Sequence, residues 1–140
     1  MITVFIDTNI IISGIFFSGQ ESQILDSGDF RLVTADICRE ETLEVVERKF
    51  EDLSSRSLEK VLDEVEEALI DIELIEEEEY KDKIDEAKKC VGRKNDVKVL
   101  AAVLACDPDY FITGDGDFWN EDVEDKVDLI KSRDLLEKVR

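Results

Sequence analysis

The chain has no histidine among its 140 residues. Histidine is the usual general base of enzymes, the usual zinc ligand and the central member of the Ser-His-Asp triad. Its absence excludes a triad of that kind and a histidine-bound zinc site from these residues. Any catalysis must therefore rest on carboxylates, hydroxyls, lysines or a metal ion held by oxygen ligands.

Cysteine is scarce as well, with only Cys38, Cys90 and Cys106. Their number is odd, they are widely spaced, and each lies in a stretch for which we predict a helix. Disulfide frameworks and zinc clusters need paired or closely spaced cysteines. We therefore predict three small buried residues with free thiols.

Long apolar runs are missing too. No stretch approaches the roughly 18 residues that a membrane span requires, and the start Met1-Ile2-Thr3 has no basic residue of the kind found in a signal peptide. A hydrophobic content of 43% is nevertheless sufficient for a core. We expect a cytoplasmic protein with no membrane partner, folded as a single domain over residues 1–140.

Basic residues are outnumbered, because 18 of them face 37 acidic residues and the formal net charge is -19. Such a charge repels the phosphate backbone of nucleic acids and favours basic partners and divalent cations. The balance inverts only between residues 88 and 98, where five cations accompany one acid: Lys88, Lys89, Arg93, Lys94 and Lys98.

The fold is indicated by one strand apolar on both faces, Ile2 to Ile6, which ends at Asp7-Thr8-Asn9. A strand of this kind is central in an α/β sheet. Further strands are predicted at 31–34, 72–75, 110–113 and 127–130, and helices at 10–17, 20–27, 36–50, 54–70, 97–105 and 132–139. This alternation predicts an α/β fold with a mostly parallel sheet, in which the 72–75 strand lies near an edge.

Acidic residues from four distant segments fall at the carboxyl edge of that sheet. Asp7 follows the first strand, and Asp115 and Asp117 follow a later one. Glu40 lies one turn into the helix after the second strand, and Asp96 opens a helix that must run back to the next strand. Open α/β sheets bind their ligands at this edge.

Each acid also has a purely structural explanation. Asp7 and Asp96 are suitable helix caps, Glu40 is a typical solvated helix residue, and Gly114 to Asp117 is a suitable tight turn. Helical periodicity does not distinguish Glu40 from Glu41. These explanations do not account for the fact that all of these acids lie at the same edge of the sheet. A cluster of carboxylates without a counterion would have raised pKa values, and the folded protein would be less stable.

A bound divalent cation would remove that cost. Carboxylates without histidine or cysteine favour Mg²⁺ or Mn²⁺ over zinc. Two such ions about 4 Å apart can hold the attacking water and the leaving oxygen of a phosphodiester in line. The site therefore suits phosphoryl-transfer chemistry.

Four motifs together resemble the PIN-domain family, which includes the VapC-like toxins of type II toxin-antitoxin systems. They are Asp7-Thr8-Asn9 after the first strand, an acid one turn into the next helix, Asn95-Asp96 opening a buried helix, and Thr113-Gly114-Asp115-Gly116-Asp117-Phe118. The resemblance covers essentially the whole chain. It implies a three-layer fold, with a central, mostly parallel sheet of about five strands flanked by helices.

The resemblance also implies a ribonuclease dependent on Mg²⁺ or Mn²⁺, acting as the toxin of a toxin-antitoxin pair. Three residues, Thr8, Asn9 and Thr113, would orient the metal-binding carboxylates. The family's spacing implies Glu40 in preference to Glu41, because Glu40 lies six residues after Thr34. The implied catalytic and metal-binding acids are Asp7, Glu40, Asp96 and Asp115, with Asp117 as a further metal ligand.

The implied partners are RNA, single-stranded or structured, a basic antitoxin protein and a second copy of the chain. The five cations between Lys88 and Lys98 are the predicted RNA contacts. One alternative is an acidic PIN-like, metal-binding interaction module with little or no nuclease activity, which the net charge favours. The other is a haloacid-dehalogenase-like phosphatase, which would need an aspartate where this chain has Asn9.

Overall fold

Four parallel strands form the sheet in the computed structural model, which describes residues 1–139. The strands are β1 (Ile2–Ile6), β2 (Phe30–Ala35), β3 (Glu73–Ile75) and β4 (Tyr110–Ile112), in the order β3-β2-β1-β4. The predicted α/β class, the parallel sheet, the central first strand and the position of β3 at an edge are all confirmed.

The register of β1 and β4 aligns the ends of the two strands. Ile6 is paired with Ile112, and the backbone N–H of Asp7 donates to the carbonyl of Ile112 at 3.1 Å. The residues that follow the two strands therefore emerge side by side. This places Asp7 next to Thr113.

The predicted fifth strand at 127–130 is reduced to an isolated bridge between Phe111 and Leu129. Phe111 donates to the carbonyl of Asp128 at 2.9 Å and accepts from the N–H of Ile130 at 3.2 Å. In a parallel strand the N–H and C=O of one residue face the same neighbour. Because β4 has three residues and Ile112 faces β1, only Phe111 pairs outward, and residues 1–139 contain four strands instead of about five.

Helices flank the sheet. In chain order they are α1 (Thr8–Phe16), α2 (Gln20–Asp26), α3 (Asp36–Lys49), α4 (Ser55–Leu69), α5 (Glu77–Tyr80), α6 (Ile84–Lys88), α7 (Lys94–Cys106), α8 (Glu121–Glu124) and α9 (Ser132–Lys138). The short helices α5, α6 and α8 escape the sequence pattern because a single turn has too few positions to show a periodicity. No helix within residues 1–139 is both long and apolar enough to cross a bilayer.

Strand β1 and helix α7 contribute many of the buried apolar residues of the core. Phe5 packs edge-to-face on Phe111, with ring centroids 5.5 Å apart, and Phe111 packs on Phe118 at 5.1 Å. All three cysteines are free as predicted, although Cys106 is only half-buried and Cys90 follows α6 instead of lying in a helix. The Phe118 contact fixes the chain just after Asp117 and so holds the loop that follows β4.

Candidate active site

Asp7 is a helix cap and also the innermost carboxylate at this edge of the sheet, with 7% of its surface exposed. One carboxylate oxygen accepts the N–H of Thr8 at 2.8 Å, and the other accepts the hydroxyl of Thr113 at 2.6 Å. Burial raises the pKa of Asp7, and these hydrogen bonds oppose the increase. The carboxylate is therefore held in one orientation.

Asp96 lies in the first turn of α7 but does not cap it, because the helix begins at Lys94 and its cap is Arg93. Its oxygen Oδ2 is buried and has no hydrogen-bond partner. Burial, followed by the charges of Asp115, Asp117 and Asp7, raises the pKa of Asp96 to about 6. Buried carboxylate oxygens are normally satisfied, so this atom is suited to receiving a cation.

Asp115 and Asp117 complete a group with Asp96. One oxygen from each of the three carboxylates lies within 4.8 Å of the other two. Asp115 is oriented by its own turn, since its N–H donates to Thr113 Oγ1 at 3.0 Å and its Oδ1 accepts the N–H of Asp117 at 3.0 Å. Asp117 is exposed, and its Oδ2 lies 3.5 Å from Arg93 Nε.

Helix α3 brings Glu41, and not the predicted Glu40, to the cleft that Asp7, Asp96 and Asp115 also line. Glu41 is half-buried, accepts the hydroxyl of Thr8 at 3.1 Å and accepts the side-chain amide of Asn95 at 2.9 Å. Burial raises its pKa, and the charge of Asp7 adds to the increase. Glu40 is exposed to solvent.

The burial of α3 explains this difference. Cys38, Thr42 and Val46 form the buried stripe of the helix. At 100° per residue, Glu41 lies about 100° from the centre of the stripe and Glu40 about 160° from it. Glu40 therefore points away from the sheet, and Glu41 is the member of the pair that lines the cleft with Asp7, Asp96 and Asp115.

The three polar residues predicted to orient the acids do contact this edge. Thr8 and Thr113 donate to Glu41 and Asp7, as described above. Asn9 accepts the N–H of Gly114 at 3.3 Å, and a Cβ at position 114 would lie 3.0 Å from the Asn9 amide nitrogen. Glycine at this position allows the loop after β4 to approach α1 closely.

Two adjacent clefts contain the acids. A cleft of about 270 Å³ is lined by Asp7, Glu41, Asp96 and Asp115 among others. A second, of about 470 Å³, shares the last three of these and adds Arg93, Lys94 and Asn95. The carboxylates of Glu41, Asp96 and Asp115 thus share a cleft with the cationic side chains of Arg93 and Lys94.

The five predicted RNA contacts do not form one surface. Arg93 and Lys94 line the acidic cleft. Lys88 and Lys98 line a groove beside α6 and α7, to which Lys94 also contributes, and Lys98 lies 3.6 Å from Glu77. Lys89 is exposed and is not among the residues that line either space. Two of the five are therefore close to the acids.

Two residues of this region were given no role in the sequence analysis, although Asn95 was named there as part of a motif. Asn95 orients Glu41, and the indole N–H of Trp119 donates to the carbonyl of Thr113 at 3.3 Å. Asn95 could have been found from its position beside Asp96. Nothing in the sequence near Trp119 indicates that its ring would fold back towards β4.

These residues fit a hard divalent cation. The donors are carboxylates, the Asp96 oxygen lacks a partner, and Asp115 and Asp117 are within reach of the same ion. Asp7 lines the same cleft but already accepts two short hydrogen bonds. It is therefore pre-oriented for a ligand on its free lone pairs.

A parallel sheet with a carboxylate cluster at its carboxyl edge defines an α/β protein with an acidic, oxygen-lined site. The family model for the PIN domain matches residues 5–132, and the chain belongs to this family. This match leaves the phosphatase alternative without support.

Among the solved structures that share the fold, two illustrate the similarity. VapBC2 from Rickettsia felis, bound to a DNA fragment from its promoter, aligns with a TM-score of 0.61 and 15% identity over 92% of this chain and 98% of the other. VapBC-1 from nontypeable Haemophilus influenzae aligns with a TM-score of 0.62 and 16% identity over 94% of this chain and 98% of the other. No curated protein sequence matches the chain.

Proposed function

We propose that the chain is a cytoplasmic, metal-dependent endoribonuclease that hydrolyses RNA phosphodiesters with Mg²⁺ or Mn²⁺. The observation that carries this proposal is the buried, unpartnered oxygen of Asp96 beside Asp115 and Asp117. Membership of the PIN family supports it.

Asp7, Asp96, Asp115 and Asp117 are the proposed ligands, with Glu41 taking the place first given to Glu40. A bound ion of this type activates water and neutralises charge on a phosphodiester. Thr113 and Thr8 hold the Asp7 carboxylate in place, and Asn95 and Thr8 hold Glu41. The protein thus contributes a fixed set of oxygens that needs little rearrangement when the ion binds.

Arg93 and Lys94 are the proposed phosphate contacts next to the acids. Both are exposed and line the same cleft as Asp96. Their position offsets the net charge of -19 locally, where the RNA backbone must approach. Lys88, Lys89 and Lys98 would act further along the RNA.

The toxin of a toxin-antitoxin pair is the proposed biological setting. Both structural neighbours come from VapBC assemblies, and each is covered over nearly its whole length. The acidic surface of this chain suits a basic antitoxin. A homodimer remains part of the proposal through the family resemblance alone.

A second candidate is a metal-stabilised interaction module without nuclease activity, which the net charge of -19 favours. One experiment separates it from the nuclease. Mn²⁺ or Mg²⁺ is titrated into the wild type, Asp7→Asn and the control Asp63→Asn on the exposed side of α4. Thermal stability and cleavage of single-stranded RNA are both measured.

For the nuclease we expect metal-dependent cleavage together with stabilisation of about 2.7 kcal/mol at 100 times Kd, both weakened in Asp7→Asn and unchanged in the control. Stabilisation without cleavage of any RNA would support the interaction module. A wild type whose stability does not respond to either ion would contradict both candidates.

A further inference from the structure

A cleft of about 580 Å³ lies beside the acidic site and is not part of it. Ile10 and Ile112 give it apolar walls, and Trp119 contributes an aromatic ring. The two clefts meet at the loop after β4, because Thr113 and Gly114 line this one and Asp115 lines the other. An occupant of the Trp119 cleft would therefore be close to the carboxylates.

Hydrogen bonds tie the ring to the acidic site. The indole N–H of Trp119 donates to the carbonyl of Thr113, and the hydroxyl of the same threonine donates to Asp7 at 2.6 Å. The ring is half-buried, so part of it is fixed by the protein and part stays accessible. Trp119 thus provides an aromatic surface that is linked through Thr113 to Asp7, a proposed metal ligand.

The charge of the Trp119 cleft is opposite to that of the chain. Its lining residues within the described part of the chain include two cations, Lys131 and Arg133, and one acid, Glu21. The Lys131 ammonium lies 5.8 Å from the centre of the Trp119 ring. Arg133 has a single long contact with Glu137 at 3.9 Å, and both side chains are largely exposed, so its guanidinium is available to a ligand.

The features of this cleft suit a nucleotide: the accessible indole and the apolar walls suit its base, and the two cations suit its phosphate. A base stacks on an aromatic ring regardless of its identity, and a phosphate pairs with lysine or arginine. Gln20 and Ser132, which also line the cleft, can hydrogen-bond the edge of a base. A double helix keeps its bases stacked on one another, so the cleft favours a single strand.

We propose that the Trp119 cleft binds one nucleotide of single-stranded RNA next to the phosphodiester held at the acids. The base stacks on Trp119, and the flanking phosphate contacts Lys131 and Arg133. This inference rests on the proposed ribonuclease function. It gives the substrate a second contact surface, separate from Arg93 and Lys94, and a preference for unpaired RNA.

The chain offers a direct probe, because Trp119 is its only tryptophan. The Asp7→Asn variant, in which cleavage is expected to be suppressed, is titrated with a single-stranded oligoribonucleotide and with a duplex of the same sequence. We expect the single strand to quench Trp119 fluorescence and the duplex to quench it far less. Single-strand binding measured by polarisation of a labelled oligonucleotide, without any quenching, would overturn the proposal.

Reversing the charge of the two cations in the cleft provides a second test of the proposal. The double variant Lys131→Glu with Arg133→Glu, made in the same background, should weaken single-strand binding about tenfold or more. Lys138→Glu is the control, because Lys138 lies on the same helix as Arg133 but does not line the cleft. In the active protein the double variant should raise KM for single-stranded RNA by a similar factor. Equal effects of the double variant and the control would overturn the proposal.

Failure of this inference and failure of the ribonuclease proposal give different results. Metal-dependent cleavage that requires Asp7 but is insensitive to the double variant would remove the Trp119 cleft alone. Quenching that the double variant weakens, in a wild type that cleaves no RNA, would keep the nucleotide site and remove the nuclease.

Discussion

The acids at the carboxyl edge and the acids of α4 and α5 are the same chemical groups in opposite surroundings. Between residues 59 and 86 there are fourteen acidic residues against three lysines, and those on α4 are exposed. The edge has far fewer, but Asp7 is buried and Asp96 has an oxygen without a partner. The proposed cation site therefore differs from the region of α4 and α5 in the burial and fixed orientation of its carboxylates, and not in having more of them.

The largest expected difference between the two regions is in catalysis. Asp96→Asn should lower metal-dependent RNA cleavage by at least about 10²-fold, a magnitude typical of losing one charge-stabilising group in an active site. Asp63→Asn, which removes the same charge from the exposed side of α4, should change the rate by less than about twofold. Cleavage of a labelled single-stranded RNA measures both. Equal rates for the two variants would mean that the edge is not the active site.

A comparison within α3 sharpens the contrast between buried and exposed acids. Glu41→Gln should lower cleavage about tenfold, because the carboxylate oriented by Thr8 and Asn95 is lost from the cleft. Glu40→Gln changes a residue that is adjacent in sequence and exposed, and should leave the rate within about twofold. Single-turnover cleavage at saturating Mn²⁺ measures the pair. A larger loss for Glu40→Gln would restore the original assignment.

This pair also shows how far the sequence could lead. The strands, their parallel arrangement and the convergence of Asp7, Asp96 and Asp115 followed from apolar runs and chain direction, because parallel strands must end at one edge. The choice between Glu40 and Glu41 depended on a rotation of one residue around α3, and the packing of the helix sets that rotation. The weakened fifth strand depended on the length of β4, and strand ends are not encoded by periodicity.

Long-range contacts were the other limit. Asn95 reaches Glu41 and Trp119 reaches Thr113 because α7 and the loop after β4 pack against the same edge. No local pattern reports the contact of Trp119, and the position of Asn95 beside Asp96 is the only local indication of the other. The basic segment was visible as a run of charges. Its distribution was not: Arg93, which caps α7, lines the acidic cleft, Lys98 within α7 lines the groove beside α6, and Lys94 lines both.

Cations near the edge provide a third test, with a smaller effect. Reversing Arg93 and Lys94 to glutamate should weaken RNA binding and lower the slope of log K against log salt by about one per lost phosphate contact. Arg56→Glu on the exposed side of α4 is the control and should leave the slope unchanged. Filter binding of the Asp7→Asn variant over a series of salt concentrations measures both. An unchanged slope for the double reversal would remove these residues from the RNA contacts.

The smallest expected effect is on the stability of the metal-free protein. The pKa of Asp96 is about 6 in the folded chain and near 3.8 when unfolded, so between these values the folded state binds more protons. Its ionisation therefore destabilises the fold above pH 6, and the loss is recovered as the pH falls towards 4. Because the group is partly solvated, we expect the effect to be about 1 kcal/mol.

Urea denaturation in EDTA measures this effect as a difference between variants, which cancels the contribution of the other acids. Asp96→Asn should be more stable than the wild type at pH 7.5, and the advantage should shrink as the pH falls and disappear below about pH 4. Asp63→Asn, at an exposed position on α4, is the control variant. Saturating Mg²⁺ should reverse the order at pH 7.5, since only the wild type keeps the full set of ligands. A variant that is less stable than the wild type in EDTA would show that the Asp96 carboxylate is satisfied without an ion, and the contrast with α4 would then disappear.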